Sequence, residues 1–312
     1  MRSPKSPRTV AVVGPGAIGA TLSARLDART EHRVVVAART PFDRIVVDTA
    51  GGSIHAAPRV LTEPRDAASV DWVLVTTKAY DAVRAARWLP GFVGAGTRVA
   101  IIQNGVEHLE RFEPWVDRER MIPVMIDLPA ERIGPGRVRQ RGRGVMTIPD
   151  TPAGSDFAGI FAGSGIDVAT TPDMTTALWR KLCINSVGAL NAATLTLPRI
   201  ARHDGVADLM RAIVGECIAV GQAEGANLPD DLADDLVGAY RTGPGDGINS
   251  LQADRLAGRP MEIDARNGAI VRAGARHGVP TPWNAMLVAV LEGIEQSASE
   301  SARPDPHGGA ER

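Results

Sequence analysis

Cysteine is nearly absent from the 312-residue sequence. Cys183 and Cys217 are the only two, and neither lies in a CxxC or Cys/His cluster. That excludes a disulfide-stapled scaffold and a structural zinc site, and it fits a reducing, cytoplasmic setting; no metal is expected. Long apolar runs are missing too. No stretch approaches the roughly 20 apolar residues of a membrane span. The basic N-terminal stretch MRSPKSPR runs straight into a strand-like segment without a separate apolar region, so neither membrane insertion nor secretion is expected. An excess of charge of either sign is also lacking. With 35 basic and 36 acidic residues the net charge is -1, which gives no footing for a nucleic-acid or anionic-membrane partner. A basic run at Arg137, Arg139, Arg141 and Arg143 reads either as a phosphate patch or as a solvated hairpin face, the second being preferred.

The most pointed shortage is lysine. Of the 35 basic residues only Lys5, Lys78 and Lys181 are lysines, so arginine serves almost wherever a positive charge merely faces water. An ammonium can give up its proton, whereas a guanidinium stays protonated. A lysine that persists against this bias is therefore a candidate for chemistry. Lys5 falls in an N-terminal segment read as floppy, which leaves Lys78 and Lys181.

What is present is an ordinary globular composition, 44% hydrophobic and 23% charged, in a chain long enough for two domains. Strand and helix signals alternate through the first half, the pattern of a parallel sheet wrapped by helices. Strands are expected at Thr9–Val13, Arg33–Ala38, Trp72–Thr76, Arg98–Ile102 and Met121–Ile126, with helices at Ala17–Ala28 and Asp81–Leu89. Gly134–Ile148 reads as a β-hairpin, and Phe157–Ala162 and Ile166–Thr170 close the domain. From Asp173, which can cap a helix over Met174–Ala193, the texture turns helical. Glu216–Ala223, Asp230–Tyr240, Arg255–Gly274 and Trp283–Gln296 continue it around the loop Thr242-Gly-Pro-Gly-Asp-Gly. The expected fold is α/β: a Rossmann-type, doubly wound, mostly parallel sheet over residues 1–172, followed by an all-α C-terminal domain over 173–296. Residues 297–312 read as a disordered tail.

Gly14-Pro15-Gly16-Ala17-Ile18-Gly19 follows the first strand and opens the first helix, the context that makes GxGxxG a dinucleotide-binding signal. Gly14 permits a tight turn, Gly16 lets the backbone approach a pyrophosphate, and Gly19 lets helix and strand pack closely. The second strand ends Val36-Ala-Ala-Arg39-Thr40 with no acidic residue to bind a ribose 2′-hydroxyl. Arg39 is placed to accept a 2′-phosphate, which favours NADPH/NADP+ over NAD; the alternative is one more exposed arginine.

Lys181 and Asn185 stand four residues apart, so both project from one face of the long helix. Leu182, Cys183, Ile184 and Val187 surround them with apolar side chains, which argues against a solvated patch. Asn249-Ser250-Leu251-Gln252 and Met261-Glu262-Ile263-Asp264 set polar beside apolar residues on helical ground, and Glu262 shares its segment with Asn267. By itself that signal is also what a surface glutamate gives.

These pieces resemble the ketopantoate reductase (2-dehydropantoate 2-reductase) family over nearly the whole chain. The matching motifs are Gly14–Gly19, Thr76-Thr77-Lys78-Ala79-Tyr80, Gln103-Asn104-Gly105, Trp179-Arg180-Lys181-Leu182-Cys183-Ile184-Asn185, Asn249-Ser250-Leu251-Gln252-Ala253-Asp254 and Glu262-Ile263-Asp264, in the family's order. The resemblance implies NADPH-dependent reduction of 2-dehydropantoate to (R)-pantoate on the route to pantothenate. It makes Lys181 the proton donor, Asn185 and Ser250 substrate-binding residues, and Glu262 a catalytic residue near cofactor ribose and substrate. Lys78 and Asn104 would border the cofactor and the cleft between the domains, Asn104 also touching substrate. One departure is visible: Ala189 stands where the family commonly has a second asparagine, and Asn191 lies two residues further on, roughly half a turn around the helix. Another branched or bulkier 2-oxo acid is therefore an alternative substrate. A β-hydroxyacid dehydrogenase using NAD, against which Arg39 speaks, and a non-catalytic NADPH-sensing protein are the other readings. The oligomeric state stays open, a homodimer among the options.

Overall fold

A computed structural model describes residues 7–28 and 31–301, which fall into two compact units parting between Ala177 and Leu178. Lys5 and residues 302–312 of the expected tail lie outside the described residues.

The first unit opens with β1 (Thr9–Val13), α1 (Ala17–Asp27), β2 (Arg33–Ala37), β3 (Ile45–Thr49), β4 (Gly52–Ala56) and β5 (Arg59–Leu61). It continues through β6 (Trp72–Val75), α2 (Ala82–Ala86), α3 (Leu89–Phe92), β7 (Arg98–Ile101), β8 (Met121–Pro123) and β9 (Met125–Asp127). β10 (Ala130–Gly134), β11 (Arg137–Gln140), β12 (Gly144–Pro149), α4 (Pro152–Ile160) and β13 (Ile166–Thr171) complete it. Six strands form one parallel sheet in the order β5-β2-β1-β6-β7-β8. The order reverses beside β1, which makes the gap between β1 and β6 the topological switch point, and the fold is Rossmann-type as expected.

The central strand shows why the sequence folds this way. In β1, Val10 and Val12 enter one apolar cluster and Ala11 and Val13 the other, so the sheet is covered on both faces. One cover is α4, where Phe157 meets the ring of Trp72 edge-on at 5.2 Å and Asp156 accepts the indole N–H at 3.1 Å. Phe157–Ala162 is thus mostly helix: Pro152 starts it and Thr151 caps it, accepting from the Gly154 N–H at 3.1 Å.

Several expectations are corrected. The stretch Met121–Ile126 is split at Val124 between β8 of the parallel sheet and β9 of a three-stranded sheet, β13-β12-β9. The hairpin read over Gly134–Ile148 is instead β10 with β11, inside a four-stranded sheet β10-β11-β3-β4, and β12 leaves to pair with β13 and β9. The tail does not begin at Ser297, because the last helix runs on to Ser301. On β11 Arg137 and Arg139 face outward while Val138 and Gln140 face inward, and Arg25 of α1 bonds the Gln140 side chain at 2.8 Å. Arg137, Arg141 and Arg143 meet Asp48, Glu131 and Asp167 at 3.6, 2.5 and 2.9 Å, the solvated face that was preferred.

The second unit is helical. It comprises α5 (Met174–Thr194, whose first turn precedes the division), α6 (Asp204–Ala223), α7 (Leu232–Thr242), α8 (Ser250–Leu256), a π-turn at Asp264–Gly268, α9 (Ala269–His277) and α10 (Pro282–Ser301). Asp173 caps α5 as expected, accepting from the Thr176 N–H at 2.9 Å and the Thr176 hydroxyl at 2.6 Å. The helix expected over Arg255–Gly274 is interrupted: α8 ends at Leu256, and the chain re-enters helix only through the π-turn. No helix among the described residues is long and apolar enough to cross a membrane.

Replacing Asp156 by Ala strips the acceptor from the buried Trp72 indole, and urea unfolding is expected to show a loss of about 1–3 kcal/mol. A wild-type midpoint contradicts this account of α4.

Candidate active site

Four neighbouring strands, β2, β1, β6 and β7, deliver the expected residues of the first unit to one edge of the sheet. Gly14–Gly19 follows β1, Arg39 follows β2, Lys78 follows β6 and Asn104 follows β7, each within three residues of its strand's carboxyl end or opening there. The loops are tied to one another. Gly14 N–H donates to Ala37 O at 3.2 Å, and the Thr76 hydroxyl donates to Gly14 O at 2.8 Å. Gln103 donates through Nε2 to Thr77 O at 3.0 Å, and its own carbonyl accepts from His108 Nε2 at 2.6 Å. Asn104 therefore follows directly on a braced residue. Sequence reading missed Gln103 and His108 as supports, because their role is visible only through contacts across the loops.

The three glycines play different parts. Gly14 has φ +93°, and a Cβ there would lie 2.5 Å from Thr77 Cγ2, so both backbone and packing demand glycine. At Gly19 a Cβ would overlap the Thr76 hydroxyl and Gly14 O. At Gly16 the backbone is ordinary, φ -71°, and a Cβ would meet nothing within 4 Å. Nothing in the chain crowds that position, which leaves room for a ligand to approach the backbone. Gly16 caps α1, whose first intrahelical bond is Ala20 N–H to Gly16 O at 3.0 Å; the N–H groups before it lack intrahelical partners and carry the helix's positive end. Open backbone at Gly16 beside the positive helix end suits a pyrophosphate, and the residues present fit a dinucleotide. Arg39 is exposed.

In the second unit α5 organises the polar groups. Lys181, Asn185 and Gly188 lie along one face of it, and Lys181 and Asn185 are half-buried. Gly188 lets the start of α8 come close: Asn249 donates to Gly188 O at 3.0 Å while its Oδ1 caps α8 by accepting from Gln252 N–H at 3.0 Å. Ser250 is thereby held as the first residue of α8, next to the turn that carries Asn185. The π-turn docks on the same helix, where Asn267 donates to Ser186 O at 3.2 Å and to Asn284 Oδ1 at 2.9 Å. Its register is set by Gly268 N–H to Ile263 O at 3.0 Å, a five-residue span of the kind frequent at functional sites.

Glu262, just before that turn, is 3% exposed, so the surface-glutamate reading is set aside by burial. Four residues on, Arg266 is 2% exposed and donates through Nη2 to Ser250 Oγ at 2.7 Å. Burial pushes its guanidinium pKa below the ordinary value, against the opposing charges of Glu262 and Asp254. Sequence reading missed Arg266, which 32 arginines concealed; the four-residue step from Glu262 was the available signal. Ala189 is fully buried, and Asn191, also buried, spends its amide on Thr196 O at 3.1 Å. Asn191 thus stabilises the end of α5. Among the described residues no group of three or more His, Cys, Asp or Glu side chains is placed to hold a metal ion.

Comparison with known proteins decides the family. Residues 10–153 match the model "Ketopantoate reductase PanE/ApbA" and residues 173–295 its C-terminal counterpart. The chain belongs to the ketopantoate reductase family. A 2-dehydropantoate 2-reductase of Caulobacter vibrioides is 50% identical over 283 residues, covering 91% of this chain and 98% of that protein. One from Mycobacterium tuberculosis is 38% identical, covering 90% and 96%. The crystal structure of a ketopantoate reductase family protein from Ralstonia eutropha superposes with a TM-score of 0.86 at 32% identity, over 93% of this chain and 99% of that one. As a ketopantoate reductase family member the chain is an oxidoreductase, and the parallel sheet followed by a helical unit is the family's architecture.

Two outcomes follow for the loops. Gly14→Ala is expected to cost roughly 1–3 kcal/mol through its left-handed backbone, whereas Gly16→Ala unfolds at the wild-type temperature yet binds a dinucleotide more weakly in a fluorescence titration. Equal thermal loss in both contradicts the assignment. The second concerns His108, whose pKa is lowered by burial to about 4 from 6.5, its bond to the Gln103 carbonyl opposing the shift. As pH falls below 6.5 the unfolded chain takes up the proton first, so stability is full above that value, declines between 6.5 and 4, and levels off below. The difference between wild type and His108→Gln in urea unfolding should trace that decline, about 3 kcal/mol in total. Parallel profiles contradict it.

Proposed function

We propose that the chain reduces 2-dehydropantoate to (R)-pantoate with NADPH, with Lys181 as general acid. The observation that carries this reading is the 50% identity, over 98% of its length, to a protein named for that reaction, joined to a lysine retained on α5 in a chain that otherwise uses arginine. The two units supply complementary parts. Gly14–Gly19, with Pro15, Ala17 and Ile18 framing the helix start, would hold the pyrophosphate. Lys78 and Asn104 stand on neighbouring strand ends, and Arg39 would pair with a 2′-phosphate where NAD-selective proteins carry an acidic residue. We assign residues 1–172 to cofactor binding and 173–296 to catalysis and substrate.

A bound NADPH would supply a hydride for C2 of the oxo acid and be oxidised to NADP+. Negative charge then develops on the former carbonyl oxygen. Lys181 places an ammonium there, stabilises that charge and transfers a proton from Nζ, a step worth about 10²–10⁴-fold in rate. Asn185, one turn along α5, and Ser250 bind the substrate's remaining polar groups. Glu262 acts as a buried carboxylate beside substrate and ribose. One observation favours a second substrate within the same chemistry: the buried methyl of Ala189 offers no amide, and Asn191 is committed elsewhere, so a branched 2-oxo acid of different polarity is the alternative.

Following NADPH absorbance with a panel of 2-oxo acids tests the reading. Wild type is expected to turn over 2-dehydropantoate fastest, and Lys181→Ala to lose about 10²–10⁴-fold in kcat. No oxidation with any oxo acid overturns it. Separately, Arg39→Ala should raise the KM for NADPH about tenfold or more and leave that for NADH unchanged; an unaltered preference removes Arg39 from the cofactor site.

A further inference from the structure

Arg266 is a fully buried cation that neither the family motifs nor the proposed chemistry uses. It lies on the π-turn, whose Asn267 is pinned to Ser186 O on α5 and to Asn284 on α10. From there its Nη2 reaches Ser250 Oγ at 2.7 Å. A guanidinium only donates, so in this bond the serine oxygen must accept. A hydroxyl has a single proton. With one lone pair taken by Arg266 from beneath, the proton of Ser250 is left to point away from the guanidinium. Ser250 itself is exposed, and the Asn249 cap fixes its position at the head of α8.

A structural role alone does not account for this arginine. Its Nε is a buried donor with no hydrogen-bond partner among the described residues. An aliphatic side chain would fill the volume without burying a charge or orphaning a donor. Nor does Arg266 project net positive charge. Glu262 and Asp254 both act on it, and Asp254 is paired with Arg259 at 3.0 Å. What reaches the surface is a directed proton.

We propose that Arg266 is a positioning residue that makes Ser250 a committed hydrogen-bond donor to an acceptor oxygen of the substrate, its carboxylate. Arg266 thus contributes to selecting an oxo acid over an uncharged carbonyl compound. The proposal rests on the reading of the site as one for a 2-oxo acid. It assigns Arg266 to ground-state binding, which raises KM when lost and leaves kcat nearly unchanged.

Steady-state kinetics with 2-dehydropantoate and NADPH tests it in wild type, Ser250→Ala, Ser250→Thr, Arg266→Met and the Ser250→Ala/Arg266→Met pair. Ser250→Ala and Arg266→Met are each expected to raise KM for the oxo acid about tenfold or more with kcat within about threefold. Ser250→Thr, which keeps the hydroxyl, stays near wild type. The double variant is expected to be no worse than Arg266→Met alone, because the two residues act as one device. Multiplying effects in the double variant, or an unchanged KM in Ser250→Ala, overturns the proposal. Should circular dichroism show Arg266→Met unfolded, the same cycle is run with Arg266→Gln, and effects that multiply with those of Ser250→Ala overturn the proposal. Turnover by wild type separates this outcome from failure of the functional reading: an inactive wild type overturns both, whereas an active wild type with additive variants overturns only the role of Arg266.

Discussion

A parallel sheet covered on both faces spends its strand interiors on packing, and that constraint decides where this protein can do chemistry. Val10 to Val13 alternate into two apolar clusters, so none of these four side chains is left for a ligand. Polar groups can gather only where strands end, and the reversal of strand order beside β1 opens that edge. The glycine loop, Arg39, Lys78 and Asn104 all follow from it. The helical unit meets the same restriction differently. In the middle of α5 Lys181 and Asn185 are half-buried on one face, and α8 and the π-turn, which carry Ser250 and Arg266, are tied to the neighbouring carbonyls of Gly188 and Ser186.

Much of this was legible in the sequence for the same reason. Runs such as Thr9–Val13 and Trp72–Val75 are so apolar that they read as buried strands, and a glycine loop at the end of one has few other meanings. Lys181 stood out because the chain uses lysine so rarely. What was illegible depended on partners distant in sequence. β5 is three residues long and shows no period. β3 and β4 carry polar residues and are supported by α1 and β11. The division at Val124 between two sheets, and the departure of β12 from the expected hairpin, are set by pairing, which local pattern does not report. Arg266 illustrates the converse of Lys181: abundance hid it.

Substrate choice and chemistry separate cleanly in this site. In the proposed reaction Lys181 and the glycine loop carry the chemistry, whereas Ala189 and the Arg266–Ser250 pair concern what the oxo acid looks like. Asn191 shows how a polar residue near an expected position can serve the fold instead, tying the end of α5 to Thr196. The π-turn is a departure from regular helix in the helical unit, and it presents Arg266 four residues after the buried Glu262.

The central claim is that Lys181 delivers the proton. Adding small primary amines to Lys181→Ala tests it most directly, with NADPH oxidation in the presence of 2-dehydropantoate as the readout. The account requires a folded variant that is nearly inactive alone and regains turnover as methylammonium concentration rises. A variant that turns over as fast as wild type without any amine contradicts it.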